Sequence, residues 1–333
     1  MTGVKVAVGS LGGTITMTSS RPDGRDVSPS LNAADLVRVL PDSTGIDVQT
    51  TTLASVPGAW LTFDDVGNTL EWARAVVSEG ASGAVVVQGT DTIEETAYLI
   101  DLFWERPEPL IVTGAMRSAE ALGADGPANL AAAIAVAADP SSRDRGVLVV
   151  MNDEIHAAAR VRKTHSSAPN AFRSPTFGPV GYVVSGAPAY GGRAIRSTPL
   201  PGRRPATARV ALLETVLGDR GELLEIVAAA GYDGVVVAGF GVGHVSNALA
   251  DAIEQASVVP VVVASRTGAG TTHVDTYGFA GSESDLLSRG AILAGWLDPR
   301  KARLLLCCLL GAGSSRAEIA DEFRVRGGMS ADS

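Results

Sequence analysis

The sequence predicts an α/β protein: a parallel-sheet N-terminal domain followed by a second, smaller α/β domain. The first observation is length, because 333 residues are about twice the usual ~150 per domain. The second is composition. Hydrophobic residues make up 46% and charged residues 19%, a balance that suits well-buried layers rather than disorder or a coiled coil. The third is pattern: short β-branched runs alternate with longer Ala- and Leu-rich segments along most of the chain.

Taken in order, Val4–Val8, Ile46–Leu53, Ala84–Val87, Leu110–Thr113 and Val147–Met151 read as strands. Strands this apolar fit a parallel sheet covered on both faces. Between them, Leu31–Leu40, Asp64–Glu79, Ile93–Trp104 and Pro127–Ala138 read as helices. Pro127 suits a first turn, where its missing N–H would have no partner anyway. Asp64-Asp65 and Glu94-Glu95 place negative charge where a helix N-terminus favours it. From residue 191 to 206 the periodicity stops and Gly, Arg and Pro accumulate, which reads as a linker. Domains of 1–190 and 207–333 follow. In the second, strands Val210–Glu214, Gly234–Ala238 and Val258–Ala264 alternate with helices Glu222–Ala230 and Ala248–Ser257. Helices Arg300–Leu310 and Arg316–Arg324 close the chain.

Composition also excludes. A formal charge of −9, with no basic stripe, argues against nucleic acid. The N-terminus lacks a signal-peptide pattern, and no apolar run approaches the ~18 residues of a membrane helix. A soluble, cytoplasmic protein is expected. Cys307 and Cys308 are adjacent in an apolar run and read as small buried residues. The histidines at 156, 165, 244 and 273 show no zinc-ligand spacing. There is no Walker loop and no GxSxG elbow. Gly239-Phe-Gly241-Val-Gly243 lacks dinucleotide-fingerprint spacing and reads as a tight turn.

Three stretches remain, each at or beyond the C-terminal end of a predicted strand, where open α/β sheets bind ligands. Ser10-Leu-Gly-Gly-Thr14-Ile presents a threonine after two glycines. Gln88-Gly-Thr90-Asp91-Thr92-Ile-Glu-Glu-Thr96 sets hydroxyls and a carboxylate before a helix N-terminus. Met151-Asn-Asp-Glu-Ile155 runs on to Arg160-Val-Arg-Lys163-Thr-His. Singly, each has an ordinary reading: a loop hydrogen bond, a helix cap, a solvated lysine. Together they form a nucleophile set, since threonine is weak until a base takes its proton and a desolvated lysine can serve as one.

GGTI near the N-terminus, GTDTIEETAY, the stretch ND-x-I-x-x-A-x-x-V-x-KT and the C-terminal AG-x-L-x-P-x-KAR, in this order over nearly the whole chain, resemble the bacterial-type L-asparaginases. The resemblance implies a flavodoxin-like N-terminal domain and a homodimer or homotetramer with sites shared between subunits. It also implies no metal or organic cofactor, and the charge and the short apolar runs already argue against a nucleic-acid or membrane partner. Residue by residue, Thr14 matches the first-loop nucleophile. Thr90, Asp91 and Lys163 match the second catalytic cluster, Asp91 also suiting the substrate ammonium. Gly58, Gly89, Ala115, Ser246 and Glu283 match substrate-binding positions, Glu283 from a partner subunit.

There are departures. The family's first-loop tyrosine has no counterpart before Tyr98, and Asp26 or Val27 stands near its place. The substrate-carboxylate serine is absent from Val56-Pro-Gly58-Ala-Trp60, and Ser246 replaces an asparagine. The expected function is hydrolysis of the L-asparagine side-chain amide, giving aspartate and ammonia through an acyl-threonine. Alternatives are an amidase on D-asparagine, glutamine or a metabolite, and a small-molecule binding protein that has lost catalysis.

Overall fold

The computed structural model describes residues 3–19, 27–29, 31–38, 45–192, 196–202, 204–205, 208–256 and 258–329. The chain divides into two compact units, Met1–Arg204 and Pro205–Ser333.

In the first unit the strands are β1 (Val4–Gly12), β2 (Met17–Ser19), β3 (Val27–Pro29), β4 (Ile46–Val56), β5 (Gly83–Val87), β6 (Leu110–Thr113) and β7 (Val147–Met151). Five more follow: β8 (Glu154–Ala157), β9 (Arg162–Lys163), β10 (Phe172–Arg173), β11 (Gly181–Val184) and β12 (Ala187–Tyr190). The helices are α1 (Ala33–Arg38), α2 (Phe63–Ser78), α3 (Ile93–Asp101) and α4 (Gly126–Ala138). An eight-stranded sheet runs β12-β11-β8-β7-β6-β5-β1-β4. Its β4-β1-β5-β6-β7 part is parallel. Numbered by their own sequence, those five strands run 2-1-3-4-5, the flavodoxin-like order, whose switch point lies between the first strand and the third. Here that is the gap between the ends of β1 and β5.

Side-chain alternation fills both faces of this sheet. Val6, Val8, Val85, Val87, Ile111 and Leu148 pack with Leu36 of α1 and with Leu130 and Ile134 of α4. Their neighbours Ala7, Val86, Val112 and Val149 are equally buried, on the side where α2 and α3 contact the sheet. Thr62 starts α2 with a reciprocal cap, its hydroxyl accepting from Asp65 N while its own amide donates to Asp65. Pro127 lies in the first turn of α4, as expected.

The sheet is longer than the sequence reading allowed, and its added strands β8, β11 and β12 are antiparallel. β7 turns into β8 through Asn152 and Asp153, both in the left-handed region at φ 54° and 59°. Ser185 and Gly186 join β11 to β12 the same way, at φ 51° and 79°. Two-residue loops with two positive φ values match the twist of an antiparallel pair. β9 and β10 form a two-stranded ribbon that pairs Lys163 with Phe172, and β2 and β3 form another.

In the second unit, β13 (Val210–Glu214), β14 (Gly234–Gly239), β15 (Val261–Ser265) and β16 (Ile292–Leu293) make a parallel sheet in that order. Helices α5 (Glu222–Ala229), α6 (Asn247–Gln255), α7 (Glu283–Ser288), α8 (Pro299–Gly311) and α9 (Arg316–Arg326) accompany it. Val235, Val237, Val261, Val263, Leu249 and Ile253 build its core. The strand expected from Val258 begins instead at Val261. Val258 is 92% exposed, and Pro260, lacking an N–H, fits only the edge of a ladder. Among the described residues no helix is long and apolar enough to cross a membrane.

Candidate active site

The switch point of the first unit is built from backbone brought unusually close. Gly13 has φ 84° and ψ −172°, a region open essentially to glycine alone. A Cβ added there would lie 2.1 Å from the Gly89 nitrogen. A Cβ on Gly58 would lie 2.8 Å from the Gly89 oxygen, and one on Gly89 would lie 2.6 Å from the Gly58 nitrogen. The loops after β1, β4 and β5 therefore meet main chain to main chain. Thr14 directly follows Gly13 and is half-buried; Thr90 directly follows Gly89 and is 6% exposed. The close approach brings the two threonine-bearing loops into contact.

Lys163 arrives on β9. Its Nζ donates to Thr90 Oγ1 at 2.9 Å and lies 3.3 Å from Asp91 Oδ1. The lysine side chain is 17% exposed and that of Asp91 is 59% exposed, so the cluster is lined by protein on the threonine side and open beyond Asp91. A residue the sequence reading treated only as first-turn charge holds the lysine in place: Glu94, 3% exposed, accepts from the Lys163 amide at 2.6 Å. A second overlooked residue, Gln88, is fully buried and donates from Nε2 to Gly89 O at 3.3 Å and to Thr92 Oγ1 at 3.2 Å. The signal for both was present, since a polar residue ending a buried strand and an acid opening a buried helix need partners. Those partners lie up to 69 residues away, which periodicity cannot show.

Ala115 is 1% exposed and follows β6. Beside it, Gly114 O accepts from Asn129 Nδ2 at 3.0 Å, while Asp125 accepts from the amides of Met116 and Arg117. Gly58 is buried at the start of a short 3-10 turn, Gly58–Trp60, and Trp60 is 71% exposed. Asp26 lies outside the described residues. The backbone of Val27 pairs with Ser19.

Among the described residues no cluster of His, Cys, Asp and Glu is suited to hold a metal ion.

A family model described as the N-terminal asparaginase domain matches residues 5–196, and one described as the glutaminase/asparaginase C-terminal domain matches residues 209–323. This chain belongs to the asparaginase family. A probable L-asparaginase of Deinococcus radiodurans is 36% identical over 326 residues, covering 94% of each chain. An L-asparaginase of Bacillus licheniformis is 33% identical over 324 residues, covering 96% of this chain and 98% of its own. The crystal structure of a probable cytoplasmic L-asparaginase from Campylobacter jejuni superposes with a TM-score of 0.86 at 30% identity, covering 96% of this chain and 98% of the other.

Two further positions of this asparaginase lie in the second unit. Ser246 caps α6, its hydroxyl accepting from Leu249 N at 3.1 Å. Glu283 is fully buried. Its Oε1 accepts from the amides of Thr276 and Tyr277, both at 2.7 Å, and its Oε2 lies 3.0 Å from His244 Nε2. Burial alone would raise this carboxyl's pKa; the Tyr277 and Thr276 amides and His244 outweigh burial and hold it below the ordinary value. A carboxylate offers about four acceptor sites, and three are taken within the unit itself.

Proposed function

We propose that this asparaginase hydrolyses the side-chain amide of L-asparagine to L-aspartate and ammonia through an acyl-threonine. The observation that carries this reading is the Lys163–Thr90 hydrogen bond of 2.9 Å beside the backbone contact of Gly13 with Gly89. It sets one hydroxyl on a lysine and brings the loop of a second against it. Thr14 Oγ attacks the amide carbon, and the oxyanion that forms is held by amides near Gly89 and Thr90. The C–N bond then breaks, and the proton lost by Thr14 leaves on ammonia after passing through Thr90 and Lys163. Water attacks the ester, its proton returns to Thr14, and aspartate departs. Asp91 receives the substrate's ammonium, the Gly58 turn its α-carboxylate, and Ala115 contributes backbone around the amide.

The names of the relatives support this substrate. A homotetramer or homodimer with shared sites, and a cytoplasmic location, belong to the same proposal. The Campylobacter relative is called cytoplasmic, while a Haemophilus influenzae relative, 38% identical over 246 residues, is called periplasmic. In such an assembly Ser246 and Glu283 would face a neighbour's substrate. Glu283, with no exposed surface of its own, would reach it only by giving up bonds to the Thr276 and Tyr277 amides or to His244.

A second reading, an amidase for a bulkier amide, is favoured by Trp60, whose exposed ring follows the Gly58 turn by two residues. Large apolar surface favours larger ligands. Ammonia release from L-asparagine, D-asparagine, L-glutamine and N-substituted amides tests both readings. With backbone alone holding the α-carboxylate, KM for L-asparagine is expected above the micromolar range. Thr14→Ala should abolish release while leaving the folded protein intact, and wild-type-like turnover in that variant defeats the nucleophile assignment.

A further inference from the structure

Thr92 stands at the N-cap position of α3 yet makes no side-chain cap, although threonine there normally accepts from an amide of the first turn. Its hydroxyl reaches 34 residues back along the chain instead and donates to Gly58 O at 2.9 Å. The same oxygen atom accepts from Gln88 Nε2 at 3.2 Å, and Gln88 is fully buried. A continuous chain therefore runs from the end of β5, through Thr92, to the turn after β4. Within the turn, Trp60 N donates to Pro57 O at 3.0 Å, while the bond that closes it on Gly58 itself, Leu61 N to Gly58 O, is long at 3.4 Å, so the Thr92 hydroxyl is the shorter hold on the Gly58 carbonyl. A 3-10 turn also leaves its first amides without carbonyl partners of its own, so those amides are available to an anion only as well as the turn is held.

We infer that Thr92 is a positioning residue, fastened by Gln88, that holds the Gly58 turn against Gly89 so that its amides can grip a substrate carboxylate. The inference rests on the reading of Gly58 as holder of the α-carboxylate. It explains why a helix start forgoes its cap: the hydroxyl serves the neighbouring loop, while the first-turn amides of Glu95 and Thr96 find the Thr92 carbonyl. It also gives the chain a substitute for the absent serine. Where a serine hydroxyl would bind the carboxylate directly, here a threonine hydroxyl on another loop stiffens the backbone that does so.

The test uses the full-length chain with Thr92→Val, which keeps shape and removes the hydroxyl, and Thr92→Ser, which restores it. Amide hydrogen exchange over residues 57–62 and the KM and kcat of ammonia release from L-asparagine are measured on each. Thr92→Val is expected to speed exchange in 57–62 at least fivefold and to raise KM about tenfold, with kcat changed less than threefold. Thr92→Ser is expected to return both within twofold of wild type. Unchanged exchange in that segment, a loss confined to kcat, or failure of serine to rescue overturns the proposal. Should Thr92→Val not fold, Thr92→Ala carries the same comparison. If the wild-type chain releases no ammonia from L-asparagine, the functional reading fails, and the exchange measurement alone still decides the role of Thr92.

Discussion

Lys163 shows what a single residue's setting decides. In the sequence it was a lysine in a basic loop with an ordinary surface alternative. In the fold, Glu94 fixes its amide, and its Nζ meets Thr90 and Asp91. A solvated lysine needs no such arrangement, because holding a flexible four-carbon stem in one geometry gives up entropy for little gain at a surface. Lys163→Met keeps the stem and removes the amine. It is expected to lower kcat by about 10² to 10⁴-fold, the usual range for a proton-transfer group, with a much smaller effect on thermal stability. Steady-state kinetics beside a melting curve check this, and a kcat loss under about threefold with an unaltered pH profile returns Lys163 to the surface role.

Elements were legible in proportion to their length and burial. The fully buried strands β5, β6 and β7 were readable as β-branched runs, and the helices between them as longer apolar segments. β9, β10 and β16, of two residues each, carry no period to read. The β7–β8 hairpin does leave a signal, since Asn152-Asp153 is a pair suited to two left-handed positions, but a two-residue turn carries no period of its own. The catalytic candidates were legible because motif and topology agree: GGT ends β1, GTDT ends β5, and these are the strands flanking the switch point. What periodicity omits is the side-chain traffic between loops, of which Gln88, Thr92 and Glu94 are the instances.

The cap of α2 gives a control at this scale. Thr62 and Asp65 satisfy each other's backbone amides, and this helix starts just after the Gly58 turn. Thr62→Ala should cost about 1 kcal/mol, a Tm drop of roughly 2–4 °C for a unit of this size, with KM for L-asparagine within twofold of wild type. Differential scanning calorimetry and the ammonia assay decide it. A KM rise comparable to that expected of Thr92→Val would show that the turn is held from the α2 side instead.

At the scale of the whole molecule, each unit carries a carboxylate that the fold keeps ionised, and both point the same way in pH. In the first unit, burial alone would raise the Glu105 carboxyl's pKa, but hydrogen bonds from Arg74 and the charges of Arg74 and Arg106 outweigh it and lower the pKa from 4.5. In the second, Glu283 is lowered from the same 4.5 by the Tyr277 and Thr276 amides and by His244 acting against burial. A carboxyl with a folded pKa below its unfolded value adds stability that is complete above the unfolded pKa. That stability is lost as pH falls through the folded one. Stability should therefore hold from neutrality down to about pH 5 and decline below about pH 4.5, where the unfolded chain binds protons first. Thermal unfolding followed between pH 7 and 3 should show Tm falling only in that lower window. Glu283→Gln keeps an oxygen for the two amides but removes the titrating group, so its Tm is expected to be lower at pH 7 and to fall less steeply below pH 4.5. If wild type and Glu283→Gln decline in parallel, this carboxylate is not one of the groups through which acid acts on the fold.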